Sequence, residues 1–226
     1  VRQITSPAII LRRTNYGEAD RIVTFLTPKG KLRALVKGVR RSKSKLAGGI
    51  ELFSESNVSF IETKGDLARI TSTRLIDYWN GIVGDLQRMM FGYEAMKLMD
   101  KIIEDDSEPE YYNLLKSVLT SLNDKLIELE PLEVWFYVRL LKLQGHGVNL
   151  KTDNNGKPLE SDQLYSFSSD EMCFFGSNRG IYKPEDIKYL RLCVSKDSSV
   201  IKQIKGAGDI AKRLKPLIKT LTTQYS

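Results

Sequence analysis

Residues 21–49 read RIVTFLTPKGKLRALVKGVRRSKSKLAGG, and the first half of this stretch decides the fold. Two short segments rich in Ile, Val, Phe and Leu flank Pro28-Lys29-Gly30, with Pro and Gly where a tight hairpin turn needs them. The second half then puts Lys37, Arg40, Arg41, Lys43 and Lys45 into nine positions without one acid. Most such runs are solvated loops, so these cations gain meaning only from their surroundings.

Outward from the hairpin the same β signal recurs. SPAIILRR (6–13), SNVSFIETK (56–64) and LARITSTRLIDY (67–78) are short segments rich in Ile, Val, Phe and Thr. NYGEA, PKG and KGD between the segments are turn chemistry. Five strands in roughly 75 residues predict a small closed barrel, because a sandwich needs about seven. A five-stranded barrel of this size is an OB-fold, and residues 1–79 are expected to form it.

After Trp79 the period becomes helical. Leu86, Met89, Met90, Tyr93, Met96 and Ile103 recur at three- and four-residue steps and predict a packed face on a helix over 85–104. The acidic EDDSEPE (104–110) ends that helix, and a second is predicted over 111–129 using Tyr112, Leu115, Leu119, Leu122 and Leu126. Pro131 opens a third, apolar nearly all round and expected at the centre of a bundle. Residues 150–180 predict an irregular knob or hairpin. Helices are expected over 184–194 and 209–224, the latter with Asp209 as its cap and Pro216 kinking or shortening it. The fold class expected is α+β, with a basic barrel at 1–79 and a mainly helical domain at 80–226.

Charge divides the same way. Residues 1–79 carry 15 Lys and Arg against 7 Asp and Glu, while residues 80–226 carry 20 against 21. The surplus of +7 therefore belongs to the barrel, and a concentrated basic surface attracts polyanions. An OB barrel holds single strands by a positive groove with aromatic side chains for bases. The cations placed to line such a groove are Arg12, Arg13, Arg21, Lys31 and Arg33, followed by Lys37, Arg40, Arg41, Lys43 and Lys45, with the Ser44 hydroxyl beside them. Nearby aromatics are few, Tyr16 being the one outside the predicted strands, so contact with phosphate is expected to dominate.

Other chemistry finds little support. No apolar run approaches the ~20 residues that cross a bilayer, no secretory signal is legible at the start, and two cysteines without repeated spacing predict a reducing, cytoplasmic setting. There is one histidine, His146, and no phosphate-binding P-loop motif, so no enzyme activity and no cofactor are expected. Asp105 and its acidic neighbours read as a solvated helix stop. The glycine-flanked IKGAGDIAKRLKPL (204–217) reads as a linker and cap, with Lys212, Arg213 and Lys215 facing solvent.

Residues 15–53, NYGEADRIVTFLTPKGKLRALVKGVRRSKSKLAGGIELF, resemble the N-terminal signature of the RecO family of recombination mediators. The matching pieces are Gly17-Glu18-x-Asp20, Phe25-x-Thr27, Gly30, the Lys37-Gly38-x-Arg40-Arg41-x-Lys43-Ser44 block and Phe53; Leu143-x-Gly145-His146-Gly147 agrees further along. The resemblance implies a nucleoid-associated protein that binds single- and double-stranded DNA and anneals complementary strands. With RecR as partner, such a protein loads RecA onto DNA covered by single-strand-binding protein. It also implies that the helical domain docks the acidic tail of single-strand-binding protein, for which Arg139 and Lys142 are candidates. Two competing readings stay open: an adaptor whose basic loop grips an acidic partner, and an RNA-binding barrel.

One departure is testable. Many members of that family carry a four-cysteine zinc knob, whereas this chain has Thr152-Asp153-Asn154-Asn155 near the first cysteine pair's place and only Cys173 near the second. One thiolate cannot replace four. Elemental analysis of purified protein is expected to find no stoichiometric zinc, and one tightly held zinc per chain would show this segment misread.

Overall fold

A computed structural model describes residues 2–226. The first five strands are β1 (Gln3–Tyr16), β2 (Asp20–Thr27), β3 (Gly30–Val36), β4 (Ser54–Ile61) and β5 (Ala68–Tyr78). They close in the order β1-β2-β3-β5-β4, antiparallel except where β3 meets β5 through Ala34 and Leu35. This is the expected five-stranded OB barrel. Its hairpin lies at the predicted place, with Thr27 paired to Gly30 across Pro28-Lys29. Gly30 has φ +115, and a Cβ there would lie 2.6 Å from the Asp105 carbonyl oxygen, so only glycine fits.

Alternate residues of the strands fill the barrel. Ala8, Ile10, Val23, Phe25, Val36, Val58 and Ile70 are buried in one cluster. A 3-10 turn at Ala47–Gly49 adds Ile50, Leu46 and Leu52 to this cluster, and Gly49 lies against Thr73 too closely for a side chain.

The helices are α1 (Asn80–Val83), α2 (Leu86–Ile102), α3 (Pro109–Asn123), α4 (Leu129–Leu143), α5 (Pro184–Ser195) and α6 (Ala207–Tyr225), with β6 (Tyr165–Ser168) and β7 (Cys173–Gly176) between α4 and α5. Packing groups them into two compact units, one ending at Asn123 and the other beginning at Asp124. The change of period at residue 80 thus precedes the packing boundary, because α2 and α3 pack on the barrel strands.

The face of α2 differs from the expected one. Arg88, Phe91, Gly92, Ala95, Met96 and Met99 are buried, while Leu86 and Met90 are 66% and 63% exposed. Small residues set this choice: a Cβ on Gly92 would lie 2.7 Å from the Phe53 ring, so the helix turns its Gly92–Ala95 side inward. The second predicted helix stops at Asn123 rather than 129, leaving Leu126 exposed. Asn123 turns its side chain to the Gly81 amide at 2.8 Å, and Asp124 starts a turn by accepting from the Leu126 amide at 3.0 Å. Consequently α4 begins at Leu129, with Pro131 still inside its first turn.

In the second unit α4 is the central helix, buried from Pro131 to Val138 and packed on α5 and α6. The last helix starts at Ala207 after Gly206, whose φ is +74, so Asp209 lies in the first turn and is not the cap. Pro216 does not shorten α6. Pro216 and Lys212 are both exposed, so water can take the carbonyl that proline leaves without its amide partner. Nor do all its cations face solvent: Arg213 holds the fully buried Asp186 at 2.6 and 3.1 Å, and Lys215 pairs with Glu133.

A buried acid fastens α3 to the barrel. Glu55 on β4 is 2% exposed and accepts from the Tyr112 hydroxyl and from Lys116 Nζ at 2.9 Å. Burial, and then the Glu55 carboxylate, push the Tyr112 phenol well above its ordinary value, so it stays a donor at any working pH. Removing the carboxylate strands the hydroxyl and opens a void. Glu55→Ala is expected to cost about 2–4 kcal/mol, and Tyr112→Phe about 1–3 kcal/mol. Urea denaturation followed by circular dichroism checks both, and a Glu55→Ala midpoint equal to the parent's would refute the clamp.

Candidate nucleic-acid interface

The basic stretch is a run of turns between β3 and the 3-10 turn, and it is pinned at several points. Val39 enters the barrel core at one end, and Leu46 and Ile50 enter it at the other. Between them the Gly38 amide donates to Asp20 Oδ1 at 2.7 Å and the Arg40 amide donates to the Ala19 carbonyl at 2.9 Å. The Arg41 and Ser44 amides continue the turns at 3.1 and 3.0 Å, and Thr73 Oγ1 donates to the Leu46 carbonyl at 3.2 Å. Gly38 has φ +63, a conformation glycine adopts without strain. With apolar anchors below and polar side chains above, Lys37, Arg40, Arg41, Lys43 and Lys45 are all exposed.

The eleven sequence-predicted side chains fall into different circumstances. Arg12 and Lys31 share Asp100 of α2 at 3.1 and 3.3 Å, and Arg13 holds Glu51 at 2.7 Å. Lys31 and Arg13 are largely covered, whereas Arg12 keeps a 59% exposed side chain. Arg21 donates through Nε to Asn15 Oδ1 at 3.1 Å, and Arg40 donates through Nη1 to the Gly17 carbonyl at 3.3 Å. Ser44 Oγ accepts from the Leu46 amide at 3.3 Å and is half-buried, so it serves the turn. Lys37, Arg41, Lys43 and Lys45 form no ion pair among the described residues. Arg33 is exposed on β3, beside an open cleft of about 860 Å³ floored by Ile4, Leu32 and Phe60. The cleft also carries Glu62 and Asp66, so its charge is mixed where the 37–45 turns are purely basic.

In the sequence Asp20 figures only as a piece of the family signature, without a role. An acid in a basic module reads as dilution of the charge, yet its carboxylate fixes the backbone from which the cations project. The acidic stretch after α2 likewise has a structural job. Its Glu104 carbonyl accepts from the Lys31 amide at 2.9 Å and the Ser107 amide donates to Lys29 at 3.2 Å, clasping the β2–β3 hairpin.

In the second unit, Arg139 donates to the Cys193 and Lys196 carbonyls at 2.8 and 2.6 Å and lies 4.7 Å from the Trp135 ring centre. Burial lowers its pKa from the ordinary value. Its guanidinium caps the end of α5, while Lys142 is exposed. His146 stacks on Tyr225 with ring centres 3.9 Å apart. Burial pushes the Cys193 thiol up to about 12, making it inert at neutral pH.

The segment at 150–180 does not fit a zinc site. Cys173 is its single cysteine, and among the described residues no three His, Cys, Asp or Glu side chains are disposed to hold a metal. It is instead a β6–β7 ladder whose Phe174 ring packs against Phe167 and Tyr182 at 5.0 and 5.4 Å. Among the described residues no helix is long and apolar enough to cross a membrane.

Comparison with known proteins agrees with this architecture. The chain is 36% identical over 123 residues to the DNA repair protein RecO of Roseiflexus sp. (strain RS-1), covering 54% of this chain and 43% of that one. It is 34% identical over 146 residues to the DNA repair protein RecO of Dehalococcoides mccartyi, covering 64% and 57%. With the protein of the same name from Myxococcus xanthus it shares 36% over 120 residues, covering 52% and 49%. The chain thus spans about half the length of the curated relatives it matches. The family model for the Recombination protein O N terminal matches residues 1–79 and that for the C terminal matches residues 83–226; the chain belongs to the RecO family.

Proposed function

We propose that this chain is a non-enzymatic recombination mediator in DNA repair, which holds single- and double-stranded DNA by its phosphates. The carrying observation is the pinned turn at 37–45, which keeps Lys37, Arg41, Lys43 and Lys45 exposed and without an acidic partner among the described residues. Arg40, oriented by Gly17, adds a planar donor fork suited to a phosphate. Arg12, Arg21 and Arg33 extend the contact, with Arg13 and Lys31 acting through the fold that they hold. Cations without base-edge partners read the backbone rather than the sequence.

Annealing follows from the same electrostatics. Two strands repel until their phosphates are neutralised, and a surface that binds both lowers that repulsion without a covalent step. Membership of the family supports RecR, the acidic tail of single-strand-binding protein and, through them, RecA as partners. Lys142 is the exposed candidate for the tail.

Reversing Arg40, Arg41 and Lys43 to Glu is expected to weaken binding of single-stranded and duplex oligonucleotides at least tenfold with the circular dichroism spectrum unchanged. For the parent, log affinity should fall with log salt at a slope of about −3.5 on single strands and about −4.5 on duplex if five phosphates are neutralised. Filter binding measures both. Unchanged affinity of the triple variant would refute the interface, no oligonucleotide binding at low salt would favour an adaptor for acidic proteins, and tighter binding to RNA than DNA would favour an RNA-binding barrel.

A further inference from the structure

The three segments that organise the basic surface converge on one residue that the phosphate reading leaves without a job. Tyr16 ends β1 and is 55% exposed. Arg21 is tied to its neighbour Asn15, Arg40 is tied to its other neighbour Gly17, and its cross-strand partner Asp20 holds Gly38 of the basic turn. Gly17, at φ +55, makes the sharp exit that leaves the tyrosine at the hairpin's edge.

Among the described residues nothing in the fold uses this ring. It makes no ring contact and no side-chain hydrogen bond among the described residues. The other exposed tyrosines are placed differently: Tyr93 packs edge-on against Phe53 at 4.9 Å, and Tyr78 ends β5 just before the buried Trp79. Scattered exposed apolar side chains need no explanation by themselves. A ring paired across the hairpin with the acid that holds the basic turn is a different arrangement.

We infer that Tyr16 is a base-stacking platform that makes the basic surface prefer single strands over duplex. The inference rests on the phosphate-binding reading of the same surface. A nucleotide whose phosphate lies on Arg40 carries its base toward the ring, which shares its face of the hairpin with Asp20, the residue that holds the basic turn. In a single strand that base has a free face to stack; in a duplex both faces are taken by neighbouring base pairs. Stacking is also indifferent to base identity, so it adds strand selectivity without sequence selectivity. Glu18 at the turn's tip repels phosphate and limits the backbone's path to the cationic side.

The test compares Tyr16→Ala, Tyr16→Phe and the Arg40, Arg41, Lys43 charge reversal on three probes: a mixed-sequence single strand, its duplex, and a single strand of abasic sites. Tyr16→Ala is expected to lose about tenfold on the single strand, within the range of one stacked base. It should stay within twofold on duplex and abasic probes and keep the parent salt slope, while Tyr16→Phe binds like the parent. An equal loss on single strand and duplex, or no loss on any probe, overturns the stacking role. If Tyr16→Ala is silent while the charge reversal weakens every probe, the inference fails and the phosphate reading stands. If the charge reversal is silent too, both fail.

Discussion

The structure depends on a barrel whose core is completed by apolar side chains from the segment that also carries its charge. The β3–β4 connection adds Ile50 to the barrel core and packs Leu46 against it, with a glycine-tight turn between them. Val39 enters from the other side of the basic run. Burying these residues is favourable by roughly 25 cal/mol per Å² of apolar surface, and nothing comparable is gained by burying lysine. Val39 and Leu46, at either end of the cation run at 40–45, therefore sort the segment into buried anchors and a charged outer stretch. A linker with the same cations but no anchors would lose conformational entropy on meeting DNA that this segment has already lost on folding.

The barrel's positive charge is divided between structure and surface by the location of acids. Asp100 and Glu51 hold Arg12, Lys31 and Arg13, while Asp20 is engaged by a backbone amide and leaves its neighbouring cations unneutralised. The distinction has a geometric cause. Arg13 and Lys31 lie where Glu51 and α2 pass close to the barrel, and a covered cation needs an acid beside it. The cations of the turn have only solvent beyond them. Net charge per segment therefore overstates the number of cations available to a ligand. The pairing of each with its nearest acid decides which remain.

Much of this was legible from the chain. Period-two patterning with turn residues at Pro28-Gly30 located the barrel, and the five cations announced the basic turn. The helical face of α2 was not legible, because the apolar stripe through Leu86, Met90 and Tyr93 outranked Gly92 and Ala95 on any hydrophobic scale. Close approach to Phe53, not hydrophobicity, selects the buried side there. The ends of helices at Asn123 and Gly206 were also missed, since both are set by hydrogen bonds or backbone conformation that depend on tertiary neighbours. Site residues were readable by type but not by commitment: Arg13, Lys31 and Arg139 look like Lys37 in a sequence, and only their carboxylate or carbonyl partners tell them apart.

The segment between α4 and α5 is tied together by close packing and hydrogen bonds. Four thiolates around zinc would fix a loop-rich knob by a few strong bonds; here the same work falls to close packing. Tyr165 is fully buried, exchanges backbone hydrogen bonds with Tyr182 at 2.9 and 3.0 Å and sends its hydroxyl to the Glu160 carbonyl at 2.7 Å. Gly180 lets the chain return over that tyrosine, since a Cβ there would lie 2.5 Å from its backbone. Arg191 of α5 then grips the Leu150 carbonyl with two donors at 2.9 and 2.7 Å, tying the entry of the segment to the helix that follows it. Each contact is modest, yet they are distributed along the whole segment from Leu150 to Tyr182. A metal concentrates stability at one point and makes it conditional on ligand deprotonation and metal supply. The backbone ladder and the aromatic cluster of this segment draw on neither in their own contacts.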